Sequence, residues 1–272
     1  MRRVMCVLFL LLLLIPTAAT LDALPADDDV IGTVETLLQA TNDDGNTTRE
    51  MPLCDTVADS MRTVCGADVA ILNGGDVIHN LDSGPVSWGE LKALFLEDRP
   101  LAVAEVTGDE LKLILEVGVS HATMDMTSET LDVRRSSFDG FPQVSGITFR
   151  YDPTAPIGDR IVEIRLTDGT ELSEDQTLTL AASEYMLSGG YDYPALPHEN
   201  KSVTLAEALA AQFRDGTLAA PETGRITSIG QGNRFAISRP VILLVSLAAI
   251  LIVLSVRGVF RRGAPKDRNP FF

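Results

Sequence analysis

The stretch ILNGGDVIHN, residues 71–80, places an asparagine and two glycines directly after a short apolar run. That run begins at Asp68 and has the composition of a buried strand. Paired glycines at the end of a strand allow a positive φ or a very close approach of the backbone to another group. Residues 73–75 are therefore predicted to form either a plain turn or the floor of a pocket in which a ligand meets the backbone.

Three helices after this turn are predicted by the same start signal. In a capping box, a hydroxyl residue and a glutamate three positions later each bond the backbone amide of the other residue. The three pairs are Ser87 with Glu90, Thr107 with Glu110, and Thr204 with Glu207. Upstream of the turn, apolar residues at helical spacing predict a helix over residues 51–64 that Gly66 ends; they are Leu53, Val57, Met61 and Val64.

The region between the second and third of these capped helices has a period of two, which is typical of strands. The alternating segments are FPQVSGITFRYD (141–152), DRIVEIRLTDGTEL (159–172) and QTLTLAAS (176–183). The pair Asp168-Gly169 predicts a hairpin turn, and VIGTVETLL (30–38) predicts a further strand near the start. Helices followed by a strand cluster and one more helix predict a single α+β domain.

Both ends of the chain carry apolar segments that indicate the secretory route. Residues 1–20 have two arginines, an apolar run and then small residues, which is typical of a signal peptide. Residues 239–257 are framed by Arg239 and Arg257 and predict a transmembrane helix, and residues 258–272 predict a basic cytoplasmic tail. Between them lie an acidic leader (21–30), the domain (31–215) and a stalk (216–238). We expect a single-pass type I protein of the plasma membrane or a secretory-pathway membrane, with its domain on the extracellular or lumenal side.

The charge of the chain disfavours nucleic acid as a partner. The formal net charge is −16, and residues 20–234 alone contain 14 basic and 37 acidic residues, a net charge of −23. A domain with this balance repels a polyanion.

Cysteines and glycosylation motifs fit an oxidising compartment. The segment from Arg49 to Leu72 reads as helical through both Cys54 and Cys65, which places them about 16 Å apart, too far for a disulfide between them unless the helix ends early. Asn46 (NTT) and Asn200 (NKS) are predicted glycosylation acceptors.

Seven blocks of the sequence together resemble a known family. The blocks are RE…L…ADSM, ILNGGDV, GPVSWGEL, LAVAEVTGDELKLILEVGVS, FPQVSGITFRYDP, GDRIVEI and SEYMLSGGYDYP. They are similar, in this order, to the C-terminal domain of secreted 5′-nucleotidases. In that family a separate N-terminal metallophosphatase domain binds two metal ions and performs hydrolysis. The C-terminal domain grips the nucleoside and stacks its base between two aromatic rings.

The resemblance assigns candidate substrate-binding positions and also shows departures. Asn73 matches an asparagine that faces the base, Gly74 and Gly75 complete its turn, and Tyr185 matches one stacking ring. Gly189 and Gly190 match a second glycine turn, in which the ribose-binding aspartate is replaced by Tyr191, with Asp192 one place later. Two arginines of the family pattern are replaced by Thr47 and Ile78. The other stacking ring falls at Glu97, although a small shift would bring in Phe95 or Arg99.

The resemblance covers only the substrate-binding half of such an enzyme. The chain has three histidines, His79, His121 and His198, none in a pattern that would build a two-metal centre. We therefore predict no catalytic residues, no metal ligands and no cofactor. Three alternatives stay open: a non-catalytic nucleoside- or nucleotide-binding or interaction module, the substrate-binding half of a nucleotide hydrolase completed by a separate metallophosphatase chain, or an incomplete product of a full enzyme. The expected partners are a nucleoside or nucleotide, such a phosphatase chain, and the membrane.

Overall fold

The computed structural model describes residues 25–41, 47–124, 133–134 and 138–229. The predicted signal peptide, transmembrane helix and cytoplasmic tail lie outside these residues, as does Asn46. Within the described ranges, no helix combines the length and the apolarity that a bilayer span requires.

The described residues form mixed strands and helices, in agreement with the predicted α+β class. The strands are β1 (Val30–Val34), β2 (Val69–Asn73), β3 (Gly84–Ser87), β4 (Pro100–Thr107), β5 (Thr123–Met124), β6 (Val133–Arg134), β7 (Pro142–Ser145), β8 (Ile147–Tyr151), β9 (Ile161–Leu166), β10 (Thr177–Ser183), β11 (His198–Thr204), β12 (Thr217–Leu218) and β13 (Ile226–Ser228). The α-helices are α1 (Pro52–Cys65), α2 (Trp88–Ala93), α3 (Gly108–Gly118), α4 (Glu184–Leu187) and α5 (Leu205–Ala210). Short 3-10 turns span Gly74–Asp76, Gly190–Asp192 and Ala211–Asp215.

A five-stranded sheet in the order β11-β4-β10-β2-β7 lies at the centre of the domain. Its β10–β2 pair is parallel and its other pairs are antiparallel. Smaller sheets have the orders β13-β8-β9, β12-β1-β3 and β5-β6. Strand β2 lies between β10 and β7 and is buried along its whole length. The NGG turn therefore leaves the central sheet at the end of a fully buried strand.

Both faces of the central sheet are covered. Val69 and Ile71 belong to a buried cluster that includes residues of α3, β8 and β9. The intervening Ala70 and Leu72 belong to a second cluster, built from α1, α2 and α5. Because successive side chains of a strand point to opposite faces, β2 carries an apolar run rather than an alternation.

All three predicted capping boxes are confirmed. In each, the hydroxyl accepts from the glutamate amide and the glutamate carboxylate accepts from the amide of the hydroxyl residue. The hydroxyl residue is in each case the last residue of a strand, so that α2, α3 and α5 follow β3, β4 and β11 without an intervening residue.

Helix α1 matches its predicted extent to within one residue at each end. Leu53, Val57 and Met61 are fully buried, whereas Val64 is 38% exposed. Gly66 ends the helix with a φ of 63°, in the left-handed region. Cys54 and Cys65 both lie on α1 and are free thiols, which confirms that they do not pair with each other.

The structure differs from the expected stalk at residues 216–229. Strand β12 pairs in parallel with β1, and β13 pairs in parallel with β8, so this segment packs onto the domain. Strands of two and three residues are too short to show a period in the sequence. The remainder of the predicted stalk lies outside the described residues.

Two acidic residues, Glu50 just before α1 and Asp59 in the middle of this helix, hold the C-terminal segment. The Glu50 carboxylate accepts the backbone amides of Gly224, Arg225 and Ile226 at 2.8–3.1 Å. The Arg225 guanidinium donates two hydrogen bonds of 2.7 Å to Asp59. A charge-assisted bidentate pair is among the stronger polar contacts in proteins.

Asp55 lies near Glu50, Asp59 and Arg225, which together we call the acidic cluster, and it is fully buried. Neither of its carboxylate oxygens receives a hydrogen bond from the described residues. Burial, followed by the neighbouring Glu50 carboxylate, raises the pKa of Asp55 from 3.8 to about 9. Asp55 therefore carries a proton at neutral pH, which it can donate to Glu50.

Candidate functional site

The NGG turn begins at Asn73, the last residue of β2, and continues as one turn of 3-10 helix. The amide of Gly74 donates to the carbonyl of Phe141 and the amide of Gly75 donates to the carbonyl of Asp139, both at 2.8 Å. Neither glycine has a positive φ. A Cβ at Gly75 would lie 2.2 Å from the Asp139 Cβ, so the reason for this glycine is close approach.

Asp76, the residue after the two glycines, is the centre of a polar cluster. It is fully buried, and its carboxylate accepts from Asn73 Nδ2 at 3.2 Å and from the Tyr191 hydroxyl at 3.0 Å. Arg99 Nε lies 3.5 Å from Asp76 Oδ1. Burial raises the pKa of Asp76, while the Tyr191 hydrogen bond and the Arg99 charge oppose that change. Asp76 was not identified from the sequence, where its only signal is a carboxyl group directly after paired glycines.

Arg99 faces the Tyr185 ring, where the resemblance expects a stacked base. Its Cζ lies 3.9 Å from the ring centroid, which is a cation–π contact. Of the three alternatives for the opposite stacking position, Phe95 is buried in the core and Glu97 is largely exposed. The Arg99 side chain is 13% exposed, and Arg99 is the alternative that the structure places over Tyr185.

The second glycine turn packs against the same tyrosine. A Cβ at Gly190 would lie 2.3 Å from a carbon of the Tyr185 ring, so a larger residue there would push this ring out of its position. Gly189 has a φ of 100°, and it is followed by positive φ values of 54° at Tyr191 and 60° at Asp192. Two consecutive non-glycine residues in this region are strained, and such strain concentrates at functional sites. Asp192 is exposed, and Tyr191 is the residue that reaches Asp76.

Further aromatic rings lie next to Tyr185. Tyr191 meets Tyr185 edge-to-face at 5.2 Å, and Phe138 meets Tyr191 edge-to-face at 6.4 Å. The His121 ring stacks on Phe138 at 4.4 Å. Together, Tyr185, Tyr191, Phe138 and His121 form a continuous row, which we call the aromatic row. Of its members, only Tyr185 was assigned a binding role from the sequence.

Two buried polar atoms at the site lack a hydrogen-bond partner within the described part of the chain. They are the side-chain oxygen of Asn73 and the Nε of Arg99. A buried polar group without a partner is costly, and such groups commonly serve a ligand or an ordered water. The site can therefore accept one hydrogen bond through Asn73 without losing a bond that the fold already uses.

The charges at the site are mainly negative. Asp76 and Asp139 both raise the pKa of Tyr191 through their charges, after burial as the largest cause, and Arg99 opposes them. Glu97 lies 3.1 Å from the Arg99 guanidinium. Ile78, at the position of one missing arginine, is partly exposed and brings no charge. Thr47, at the position of the other, is half-buried.

The three histidines have separate surroundings. His121 belongs to the aromatic row, His198 Nδ1 lies 2.8 Å from the carbonyl of Leu196, and His79 is exposed. Over the residues that the structure describes, no three His, Cys, Asp or Glu side chains are grouped so that they could hold a metal ion.

Comparison with known proteins gives one family match. The sequence profile of the family described as "5'-nucleotidase, C-terminal domain" matches residues 30–198. Two curated proteins of Bacillus subtilis (strain 168) are each 28% identical to this chain: endonuclease YhcR over 145 residues and trifunctional nucleotide phosphoesterase protein YfkN over 154 residues. These regions are 53% and 54% of this chain and 10% of each relative, so the chain spans about a tenth of their length.

Solved structures share the fold at low identity. A 5′-nucleotidase precursor from Thermus thermophilus superposes with a TM-score of 0.62 at 21% identity, over 74% of this chain and 40% of that one. The NAD nucleotidase of Haemophilus influenzae gives 0.62 at 14% identity, over 75% and 39%. A putative 5′-nucleotidase from Staphylococcus aureus, solved in complex with alpha-ketoglutarate, gives 0.61 at 17% identity, over 74% and 41%.

Proposed function

The chain belongs to the 5′-nucleotidase C-terminal domain family, and from that premise we propose that it is a ligand-binding module that does not hydrolyse nucleotides by itself. The proposed ligand is a nucleoside-type molecule bound between the NGG turn and the Tyr185 ring. The observation that carries the proposal is the buried Asn73, whose side-chain oxygen lacks a partner among the described residues and whose amide nitrogen bonds Asp76, the carboxylate that also accepts from the Tyr191 hydroxyl.

Each proposed binding residue has a physical role in this site. Asn73 accepts a hydrogen bond from the ligand, and the Tyr185 ring stacks on its planar part. Asp192 lies at the exposed rim of the second turn. Gly75 and Gly190 bring the two turns close to Asp139 and to the Tyr185 ring. Gly189 supplies a positive φ, and Gly74 bonds the carbonyl of Phe141 through its amide.

Thermal unfolding of residues 25–229 in the presence of adenosine tests this function. We expect the midpoint to rise with adenosine concentration, because a ligand that binds only the folded state stabilises it by about 2.7 kcal/mol at one hundred times its Kd. The Tyr185→Leu variant, which keeps an apolar side chain but removes the ring, is expected to lose this shift. No shift in the wild-type protein at millimolar adenosine would contradict nucleoside binding. Release of phosphate from AMP with added divalent metal would contradict the non-hydrolytic part.

The alternative function is the substrate-binding half of a nucleotide hydrolase. It is favoured by the coverage of the solved structures, since the chain accounts for 39–41% of their lengths. In that case a separate metallophosphatase chain supplies the metal centre. A mixture that hydrolyses AMP when neither chain does so alone would favour this alternative over an independent module.

We also propose that the domain is displayed on the outer side of a membrane. The support is in the sequence: the signal peptide of residues 1–20, the apolar residues 239–257 and the basic residues 258–272. Asn200 is exposed on β11, an edge strand, where a glycan would have room.

Cell fractionation tests the membrane proposal. We expect the full chain in the membrane fraction and a chain that stops at residue 229 in the medium. Recovery of the full chain as a freely diffusing protein would refute it.

A further inference from the structure

We propose that Arg99 is a built-in occupant of the ligand site, and that the ligand that replaces it is a planar group with N–H donors and no negative charge. This inference rests on the proposed function, because it concerns the same site. It adds which ligands enter and what they displace.

The position of Arg99 is the one that such a ligand would take. Its guanidinium is planar and carries N–H donors, lies 3.9 Å from the Tyr185 centroid, and directs Nε toward Asp76 at 3.5 Å. A flat ring with N–H groups can reproduce both contacts, by stacking on the tyrosine and by donating toward the carboxylate or toward the Asn73 oxygen, which has no partner among the described residues.

Arg99 is held in a way that allows displacement. Its Nε makes no hydrogen bond within the described part of the chain, and its distance to Asp76 is that of an ion pair rather than of a hydrogen bond. Its other ionic partner, Glu97, has a side chain that is 64% exposed, and exposed pairs contribute little stability. The backbone is fixed independently, since the carbonyl of Arg99 accepts from the amide of Leu205 at 3.1 Å. The side chain can therefore leave without moving the chain.

The charges around the site determine which ligand can take the place of the Arg99 side chain. When Arg99 leaves, the buried Asp76 keeps its bonds from Asn73 and Tyr191 but loses the nearest positive charge. A ligand with N–H donors compensates for part of this loss. A phosphate group on the ligand would instead bring further negative charge toward the site of Asp76 and Asp139, and like charges repel. The site should therefore bind an uncharged nucleoside more tightly than its 5′-monophosphate.

The experiment compares adenosine, AMP and methylguanidinium as ligands of the wild-type protein and of Arg99→Ala. We expect adenosine to bind the wild-type protein at least roughly tenfold more tightly than AMP, and Arg99→Ala to bind adenosine at least roughly tenfold more tightly than the wild type, because no occupant has to be displaced. Millimolar methylguanidinium should raise the unfolding midpoint of Arg99→Ala and leave that of the wild type unchanged. Methylammonium at the same concentration controls for ionic strength.

Arg165→Ala is the matched control variant, since Arg165 is an exposed arginine that pairs with Glu163 away from the aromatic row. It should show neither the methylguanidinium effect nor a change in adenosine affinity. If Arg99→Ala does not fold, Arg99→Gln replaces it, and the comparison of adenosine with AMP needs no variant.

The outcomes separate the two proposals. Equal adenosine affinity in both proteins overturns the role of Arg99 and leaves the proposed function intact. Rescue by methylguanidinium without any adenosine binding supports the site's preference for planar N–H donors and contradicts the nucleoside function. Tighter binding of AMP than of adenosine overturns the inference.

Discussion

Replacing Asp55 with asparagine is expected to raise the free energy of unfolding by about 4 kcal/mol at pH 7. The folded protein keeps Asp55 protonated up to a pKa of about 9, whereas the unfolded chain ionises it at 3.8. Between these two pH values, folding requires Asp55 to take up a proton. Each pH unit above the unfolded pKa lowers the free energy of unfolding by about 1.4 kcal/mol, and pH 7 lies about three units above it. Asparagine offers Glu50 an N–H donor without that cost.

The sign of the pH dependence follows from the raised pKa. Because the folded state binds more protons than the unfolded state between about pH 4 and 9, the contribution of Asp55 makes the wild type less stable as the pH rises through this window. The advantage of Asp55→Asn should therefore be small near pH 4 and grow toward pH 9, as measured by urea unfolding at several pH values. Asp59→Asn, in the same cluster, should destabilise the protein because it weakens the bidentate pair with Arg225. A pH-independent difference between Asp55→Asn and the wild type would contradict the buried protonated carboxyl.

Replacing Gly146 with alanine is expected to lower the free energy of unfolding by about 3 kcal/mol. Gly146 joins β7 to β8 with a φ of 86°, and an added Cβ would lie 2.2 Å from the carbonyl oxygen of Asp68. The left-handed conformation costs an alanine about 1 kcal/mol, and the forced backbone shift costs about 1–3 kcal/mol.

A second glycine separates these two causes. Gly158 has a φ of 93° and open space around an added Cβ, so that Gly158→Ala should cost about 1 kcal/mol, the conformational part alone. Chemical denaturation of both variants measures the difference. Equal losses would show that the Asp68 carbonyl moves aside at little cost.

Features that depend on neighbouring residues could be predicted from the sequence. The three capping boxes, the extent of α1 and the left-handed end at Gly66 were all confirmed because each depends on residues within one or two helical turns. The alternating segments of β8 and β9 were found for the same reason, since each has one face in the core.

The candidate site could be predicted only in part. The resemblance proposes Asn73 and Tyr185 as binding residues and leaves Glu97, Phe95 and Arg99 as alternatives opposite the tyrosine. The sequence could not choose among these three, because the choice depends on the path of the chain around Glu97 and on side-chain direction. The hydrogen bond from Tyr191 to Asp76 joins residues 115 positions apart, and no local pattern announces it. The packing of β12 and β13 onto β1 and β8 escaped prediction likewise, since strands this short gain their stability from their partners.

At Ser87, Thr107 and Thr204 no loop residue separates the strand from the helix that follows. The same residue ends the strand and caps the helix. At 3.6 residues per turn, one inserted residue at such a junction would rotate the following helix by about 100° and turn its apolar side away from the core. We therefore expect insertions and deletions among members of the family to fall outside these three strand–helix junctions.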